Sequence, residues 1–368
     1  MPRKKLLKNV KRIVVKIGTS TITENDVLSG TRISKIVSDI KLLVKSGYSV
    51  IIVSSGAISA GAGALKVSRE NISIPKKQAL AAVGQTILMN EWRNYFLKEG
   101  LDVGQILLTE DDVKNRTRFI NIRHTFNSLL EMNAVPIVNE NDSVTTKEIK
   151  FGDNDILAAH VTNIVEADLL ILLSDIDGFY NDLSDPEPVE EILEITKNII
   201  SKAGGSGTVH GTGGMLSKIR AAEVIIKCGE KMIIANGRIK NILSRIMKGE
   251  KIGTIFIGEN QLSSRKRWIA FSMKSTGKIK IDDGAVKALK QRKKSLLSTG
   301  ILDIDGRFRP GDAVEIINPN GEIIGKGIVN YNFNDLMTIK GKRTDEIKKL
   351  LESSYYDEVI NRDDLILY

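Results

Sequence analysis

The feature that most constrains this chain is a series of short, nearly unbroken apolar runs rich in β-branched residues, spaced by stretches of helical length. Arg12 to Ile17 reads RIVVKI and Ser49 to Ser54 reads SVIIVS; Gly104 to Leu108, Ala134 to Val138 and Ala167 to Leu173 follow the same habit. Helical periodicity lies between them, at Ile33 to Val44, Lys76 to Leu97, Thr117 to Glu131 and Asn154 to Val165. A strand wetted on one face alternates apolar and polar residues, whereas one covered on both faces reads as continuous apolar sequence. The expected fold class is therefore α/β: an open, mainly parallel sheet sandwiched by helices.

The runs also end alike, in KIGTS, VSSGA, VNEND and LLSDIDG. In an open parallel sheet, ligands gather beyond the carboxyl ends of the strands, where loops and helix amino termini present unpaired N–H groups. Four such ends predict one broad site. Past Glu190 come a glycine-rich loop at Gly204 to Gly214, a helix over Met215 to Lys227, and strands at Lys231 to Ala235 and Gly253 to Phe256.

From Gly277 the texture changes to brief alternating runs joined by glycine-containing turns, which predicts a small β-rich domain or barrel. The expected division is a catalytic domain over 1–262, a basic and polar linker over 263–276, and a β-domain over 277–360. One cysteine in 368 residues excludes a disulfide scaffold and a multi-cysteine metal site, and makes the cytoplasm the expected location. No apolar stretch reaches the roughly 20 residues that cross a bilayer, so no membrane partner is expected. The basic start lacks a cleavage pattern, so no secretory segment is expected. A net charge of +9 suits an anionic substrate or nucleic acid, but surplus lysine is also ordinary solvated surface.

Placement of charge is more informative. Lys16 stands in an apolar strand, where an ammonium is costly unless it reaches solvent or an anion, and Gly18 behind it lets an anion approach the backbone. No GxxxxGK[ST] sequence follows the strand, which disfavours a classical P-loop. The loop Gly204 to Gly214 opens into Met215-Leu216-Ser217-Lys218, combining glycines that let N–H groups converge on phosphate with a lysine in the first helical turn. Lys16 and Lys218 together would neutralise charge on both sides of a moving phosphoryl group.

Asn139-Glu140-Asn141-Asp142 and Gly152-Asp153-Asn154-Asp155 read either as helix and turn caps or as groups that bind an ammonium and pair with lysines. Their carboxylates would also suit Mg²⁺, but that ion keeps waters and phosphate oxygens as its main ligands, so no metal-binding side chain is named. His124, His160, His210 and Cys228 have no metal or nucleophile spacing and read as structural or surface residues.

In chain order, VVKIGTS, VSSGAISAG, TRFINIRHTF, VNENDSV, FGDNDILAA, SDIDGFY and GTGGMLSK closely resemble the glutamate 5-kinase branch of the amino acid kinase family. The later segments GKIKIDDGA, SLLSTGI, GRFRPGDAVEI and GKG resemble the PUA domain often appended to it. The resemblance implies transfer of the ATP γ-phosphoryl group to the side-chain carboxylate of L-glutamate, the first step of proline biosynthesis, with Mg²⁺ carried by the nucleotide. It places Lys16 and Lys218 on the phosphoryl oxygens, Asp155 between the lysines, and Asp153 as a further organiser. Ser55, Asp142 and Asn154 fall at glutamate-binding positions. Gly18, Ser174, Asp175, Thr212, Gly213, Gly214, Met215, Leu216, Ser217 and Lys218 fall in the nucleotide-binding segments. Expected with it are feedback inhibition by L-proline, a homo-oligomeric dimer or tetramer, and RNA as a secondary partner at most. His124 and Ser217 depart from asparagine and threonine in the family pattern, which bears on affinity or regulation more than on reaction class. The alternatives are an RNA-binding or regulatory protein with an inactive kinase-like domain, and a family member acting on another acceptor.

Overall fold

The computed structural model describes residues 2–24, 27–68, 72–145, 153–182, 184–204, 214–258, 266, 269–270, 273–292, 294–343, 346–347, 350–351 and 356–368. The chain divides into two compact units, Met1–Gln261 and Leu262–Tyr368.

The first unit is built on an eight-stranded sheet: β1 (Arg12–Ile17), β2 (Ser49–Ser54), β3 (Asp102–Leu108), β4 (Ala134–Glu140), β5 (Leu169–Ser174), β6 (Glu191–Ile192), β7 (Lys231–Asn236) and β8 (Thr254–Ile257). Their order is β3-β4-β2-β1-β5-β7-β8-β6. The pairs are parallel except that β8 runs antiparallel to β7. Strand β1 is central, with Lys16 in register with Val53 on one side and Leu172 on the other. All seven strands expected from the apolar runs are present. Edge strand β6 escapes that pattern because two residues show no periodicity.

Alternation along β1 decides where the site forms. Ile13, Val15 and Ile17 enter a core with Ile52, Ile171 and Ile233 of neighbouring strands. That core is covered by α1 (Gly30–Lys45), α3 (Ile74–Lys98) and the short α7 (Ile242–Met247). Helix α1 contributes Ile33, Ile36, Val37 and Ile40, the one-sided spacing of an amphipathic helix. Val14 and Lys16 face the other way. There, α5 (Asn154–Ile164) packs against β1, and α6 (Met215–Lys227) packs against α5. Helix α4 (Arg116–Glu131) packs against β4 and reaches the end of α5, where Arg123 donates to the Ile164 carbonyl at 2.9 Å.

Helix α2 (Ala57–Leu65) follows β2 directly and lies tightly against α3. Two glycines permit this: a Cβ on Gly61 would stand 2.0 Å from the Leu80 carbonyl oxygen, and one on Gly84 would stand 1.8 Å from that of Ala57. The backbones therefore touch where side chains would normally separate them.

The second unit carries its own five-stranded sheet: β9 (Ser275–Ile281), β10 (Ile301–Gly306), β11 (Ala313–Ile317), β12 (Ile323–Ile328) and β13 (Leu365–Leu367), in the order β10-β9-β11-β12-β13. It is mixed, with β9 and β11 parallel and the other pairs antiparallel. Ile279, Ile281, Val314, Ile316, Leu336 and Ile360 form its separate core, to which α8 (Asp283–Arg292) adds Leu289. Ser275 and Thr276, assigned to the linker from sequence, belong to β9, and β13 extends the unit beyond residue 360 because a three-residue strand leaves no readable pattern. Residues 263–265, 267–268 and 271–272 of the expected linker lie outside the described residues.

Candidate active site

The carboxyl ends of β1, β2, β4 and β5 converge on a buried charge cluster. Asp155, in the first turn of α5, is completely buried, and its carboxylate stands 2.5 Å from the Lys16 ammonium and 3.0 Å from that of Lys218. Lys16 is 5% and Lys218 4% exposed, so three charges share an environment from which water is nearly excluded. Ser217 adds its hydroxyl 3.4 Å from the same carboxylate.

The electrostatics are mutually supporting. Burial alone would raise the pKa of Asp155, but the charges of Lys16 and Lys218 outweigh it and hold the carboxyl below the ordinary aspartate range. Burial likewise works against a charged Lys16, yet the Asp155 and Asp153 carboxylates, with a contribution from Asp175, raise its pKa above that of an ordinary lysine. Asp155 thus stays an anion and Lys16 a cation. An ammonium has three N–H donors and needs only one for Asp155, which leaves donors for an anionic ligand.

Asp153 is the N-cap of α5, its Oδ1 accepting from the Asp155 N–H at 3.2 Å. Its Oδ2 is buried with no hydrogen-bond partner among the described residues. Asn154, between the two aspartates, is the hub of a polar network. Its Nδ2 donates to Ser55 Oγ at 2.9 Å, to the Ser54 carbonyl at 3.1 Å and to Asn139 Oδ1 at 2.9 Å. Asn139 in turn donates to Gln85 Oε1 of α3 at 2.8 Å, and Trp92, two turns on, donates its indole N–H to Ser54 Oγ at 3.0 Å. Asp142 lies half-buried in the turn after β4.

On the other side of Lys16, Gly18 caps a short helix at Thr19–Ile22 and donates its N–H to the Leu173 carbonyl. Ser174, at the end of β5, bonds the exposed Asp175 at 3.1 Å. Gly214 caps α6, which presents half-buried Met215, Leu216 and Ser217 ahead of Lys218. Thr212 and Gly213, with the rest of 205–213, lie outside the described residues.

Thus Lys16, Ser55, Asp153, Asn154, Asp155, Ser217 and Lys218 come together as one cluster, while Ser174 and Asp175 border it at the neighbouring strand end. Four residues that support the cluster or border it were not among those expected from sequence. Asn139 belonged to a cluster noticed in the sequence, but its part depended on an unseen partner. Gln85 and Trp92 sit on a long helix seven residues apart, a spacing that puts them on one face without saying what that face meets. Asn236, which bonds Asp177 at 2.9 Å beside Ser174, sits at a strand end that the ligand rule for parallel sheets would have flagged.

The second unit contains a cavity of about 280 Å³ lined by Lys266, Lys290, Lys294 and Arg362 over an apolar floor that includes Leu289 and Leu365. It has basic charge but, among the described residues, no aromatic side chain in its lining on which an unpaired base would stack.

Comparison with known proteins agrees with this geometry. The amino acid kinase family model matches residues 11–236, and the PUA domain model matches residues 277–351. A protein named glutamate 5-kinase from Caldanaerobacter subterraneus subsp. tengcongensis is 46% identical over 362 residues, covering 97% of each chain. Relatives of the same name from Thermoanaerobacter sp. and Syntrophotalea carbinolica are each 45% identical, covering 97% and 99% of this chain and the same shares of their own. With the two-lysine cluster at the strand ends and similarity running through both units, the chain belongs to the amino acid kinase family, among the glutamate 5-kinases, and carries a PUA domain.

Proposed function

We propose that this protein transfers the γ-phosphoryl group of ATP to the side-chain carboxylate of L-glutamate, giving ADP and L-glutamyl 5-phosphate, the first step of proline biosynthesis. The observation that carries the reading is the buried Lys16–Asp155–Lys218 bridge. The acceptor carboxylate is already an anion, so no general base is required, and catalysis rests on alignment and charge stabilisation. Lys16 and Lys218 turn their ammonium groups to the phosphoryl oxygens. Asp155 fixes the two ammonium groups relative to each other and keeps their mutual repulsion from separating them. Because the cluster is nearly dry, each charge contact counts for more than it would in water.

The acceptor is held by Ser55, Asn154 and Asp142, with Asp153 as a further organiser beside Asp155. Nucleotide phosphates lie against Gly18, Ser174, Asp175 and the start of α6, with Thr212 and Gly213 assigned to the same segment from sequence. Mg²⁺ bound with the nucleotide would offset the charge of the ATP phosphates. The Asp153 Oδ2 oxygen, buried without a described partner, fits a role toward such an ion or its waters. Among the described residues no group of three or more ligating side chains gathers to cage a metal. Family membership supports L-proline as a competing inhibitor, a dimer or tetramer in solution, and residence in the cytoplasm. We assign 1–262 to the kinase domain, 263–274 to the linker and the rest of the chain, from Ser275 at the start of β9 through β13, to the PUA-like domain.

The test is incubation with MgATP and hydroxylamine in the presence of L-glutamate, L-aspartate, N-acetyl-L-glutamate or carbamate. Glutamate-dependent ADP and hydroxamate, lost in Lys218→Ala, are the expected result. Folded, ATP-binding protein with no glutamate turnover would overturn the proposal.

A further inference from the structure

We propose that Gln85 is a positioning residue that reinforces the direction in which the Asn154 side-chain amide is offered to the acceptor substrate, and so helps select an acceptor that carries an ammonium group. The inference rests on the reading of Asn154 as an acceptor-binding residue.

An amide side chain has a donor end and an acceptor end of nearly equal shape, so its direction is decided by its neighbours. Here the direction is anchored by backbone groups whose polarity is not in question. The Ser54 carbonyl can only accept, and it faces Asn154 Nδ2 at 3.1 Å. The Glu140 N–H can only donate, and it faces Asn139 Oδ1 at 2.9 Å. Asn139 Oδ1 therefore also receives Asn154 Nδ2, and Asn139 Nδ2 points outward, where Gln85 Oε1 accepts it at 2.8 Å.

Each link is donor to acceptor, in the sequence Asn154 to Asn139 to Gln85. With Nδ2 committed to Ser54, Ser55 and Asn139, the acceptor end of Asn154 is left for a ligand. A carbonyl oxygen suits an ammonium and opposes a carboxylate. If Gln85 ceased to accept, Asn139 would lose the partner of its Nδ2, and the bias holding both asparagines in this direction would fall to the backbone contacts alone. Helix α3 carries this control at one remove: among the described contacts, Gln85 meets Asn139 and Asn139 meets Asn154.

Three substitutions separate polarity from shape. Gln85→Glu keeps both the shape and an accepting oxygen; Gln85→Met keeps the shape and removes the strong acceptor; Gln85→Lys puts a donor in its place. All three residues are good helix formers, so α3 is not penalised. Steady-state kinetics and the thermal midpoint are measured for each. The expected outcome is a KM for L-glutamate raised roughly five- to tenfold in Gln85→Met and Gln85→Lys, with kcat and the KM for ATP within about twofold of the parent, and a Gln85→Glu variant within about twofold throughout.

An unchanged glutamate KM in Gln85→Met, or an equal rise in the Met and Glu variants, would overturn the inference in favour of a packing role. Should Gln85→Met fail to fold, the Glu and Lys variants decide: equal KM values reject the polarity argument, and a selective rise with Lys supports it. The parent enzyme keeps the two proposals distinct. No glutamate-dependent turnover in the parent defeats the acceptor assignment; turnover that is indifferent to Gln85 defeats only this inference.

Discussion

Asp155 supports two cations that would otherwise repel each other inside a dry cluster. Asp155→Asn preserves volume but removes the one carboxylate that both buried ammonium groups contact. The expected result is a fall in kcat of about a hundredfold or more, measured as ADP release. Removing one member of a buried charge group also costs about 3 kcal/mol or more of stability, which appears as a lowered melting midpoint. The pH windows follow from the signs of the shifts. Asp155 titrates below its ordinary value of 3.8, so its contribution to stability is complete above that value and is lost as pH falls through the lower folded pKa. Lys16 titrates above 10.5, so its contribution is complete below that value and is lost as pH rises through the higher folded pKa. Neither group changes charge between about pH 6 and 9. A kcat profile over that range is therefore expected to show no step from either one; a sigmoid that disappears in Lys16→Arg would contradict the assignment.

At the scale of the element, α2 and α3 bring Ser55 and Gln85 to one site through their glycine contact. Gly84→Ala puts a methyl group against the Ala57 carbonyl and the Gly61 nitrogen, so the helices must separate. Overpacking of this kind costs about 1–3 kcal/mol, and because α3 carries Gln85 and Trp92, the KM for glutamate is expected to rise more than that for ATP. Helix α5 supplies a second test. Its His160 is half-buried, and desolvation, helped by the charge of Lys114, lowers its pKa to about 4. The unfolded chain takes up a proton near pH 6.5 while the folded one does not, so stability is expected to fall between about pH 6.5 and 4, by roughly 3 kcal/mol in all. Melting curves across that range check it, with His160→Gln flattening the slope.

Elements also mark how far sequence alone reaches. Strands β1, β2, β4 and β5 were legible because burial on both faces leaves a continuous apolar signature, and the chemistry at their ends was legible with them. Helix α2 was not: AISAGAGAL is small and nearly uniform, so no face stands out, and its existence depends on the fit to α3. Lys16 and Lys218 each stood out as a lysine where charge is costly. That they share one carboxylate is a fact of the packing of α5 between β1 and α6, which a separation of 202 positions conceals. The link from Asn154 through Asn139 to Gln85 was hidden for the same reason, since amide direction is set by contacts and not by residue type.

For the molecule as a whole, two units with separate cores place every described residue of the phosphoryl-transfer cluster before Gln261. A chain ending at Gln261 is expected to fold and to retain glutamate-dependent ADP formation within about an order of magnitude. Calorimetry of the full chain should then resolve a component that the shortened chain lacks; loss of all structure on truncation would show that the first core is insufficient. The first unit also has an early residue joined to its late ones. Arg3 is 3% exposed, and its guanidinium donates to the carbonyls of Ile252 at 2.5 Å, Glu190 at 2.9 Å and Gly253 at 3.1 Å. On a ribosome adding roughly 5–20 residues per second, a segment made at the start waits on the order of 10–50 s for those carbonyls to emerge. Strand β1 waits as well, for β5, which lies more than 150 residues downstream. The nascent unit therefore spends much of its synthesis with an apolar strand edge open, an exposure that invites aggregation, and the contacts of Arg3 are among the last to close.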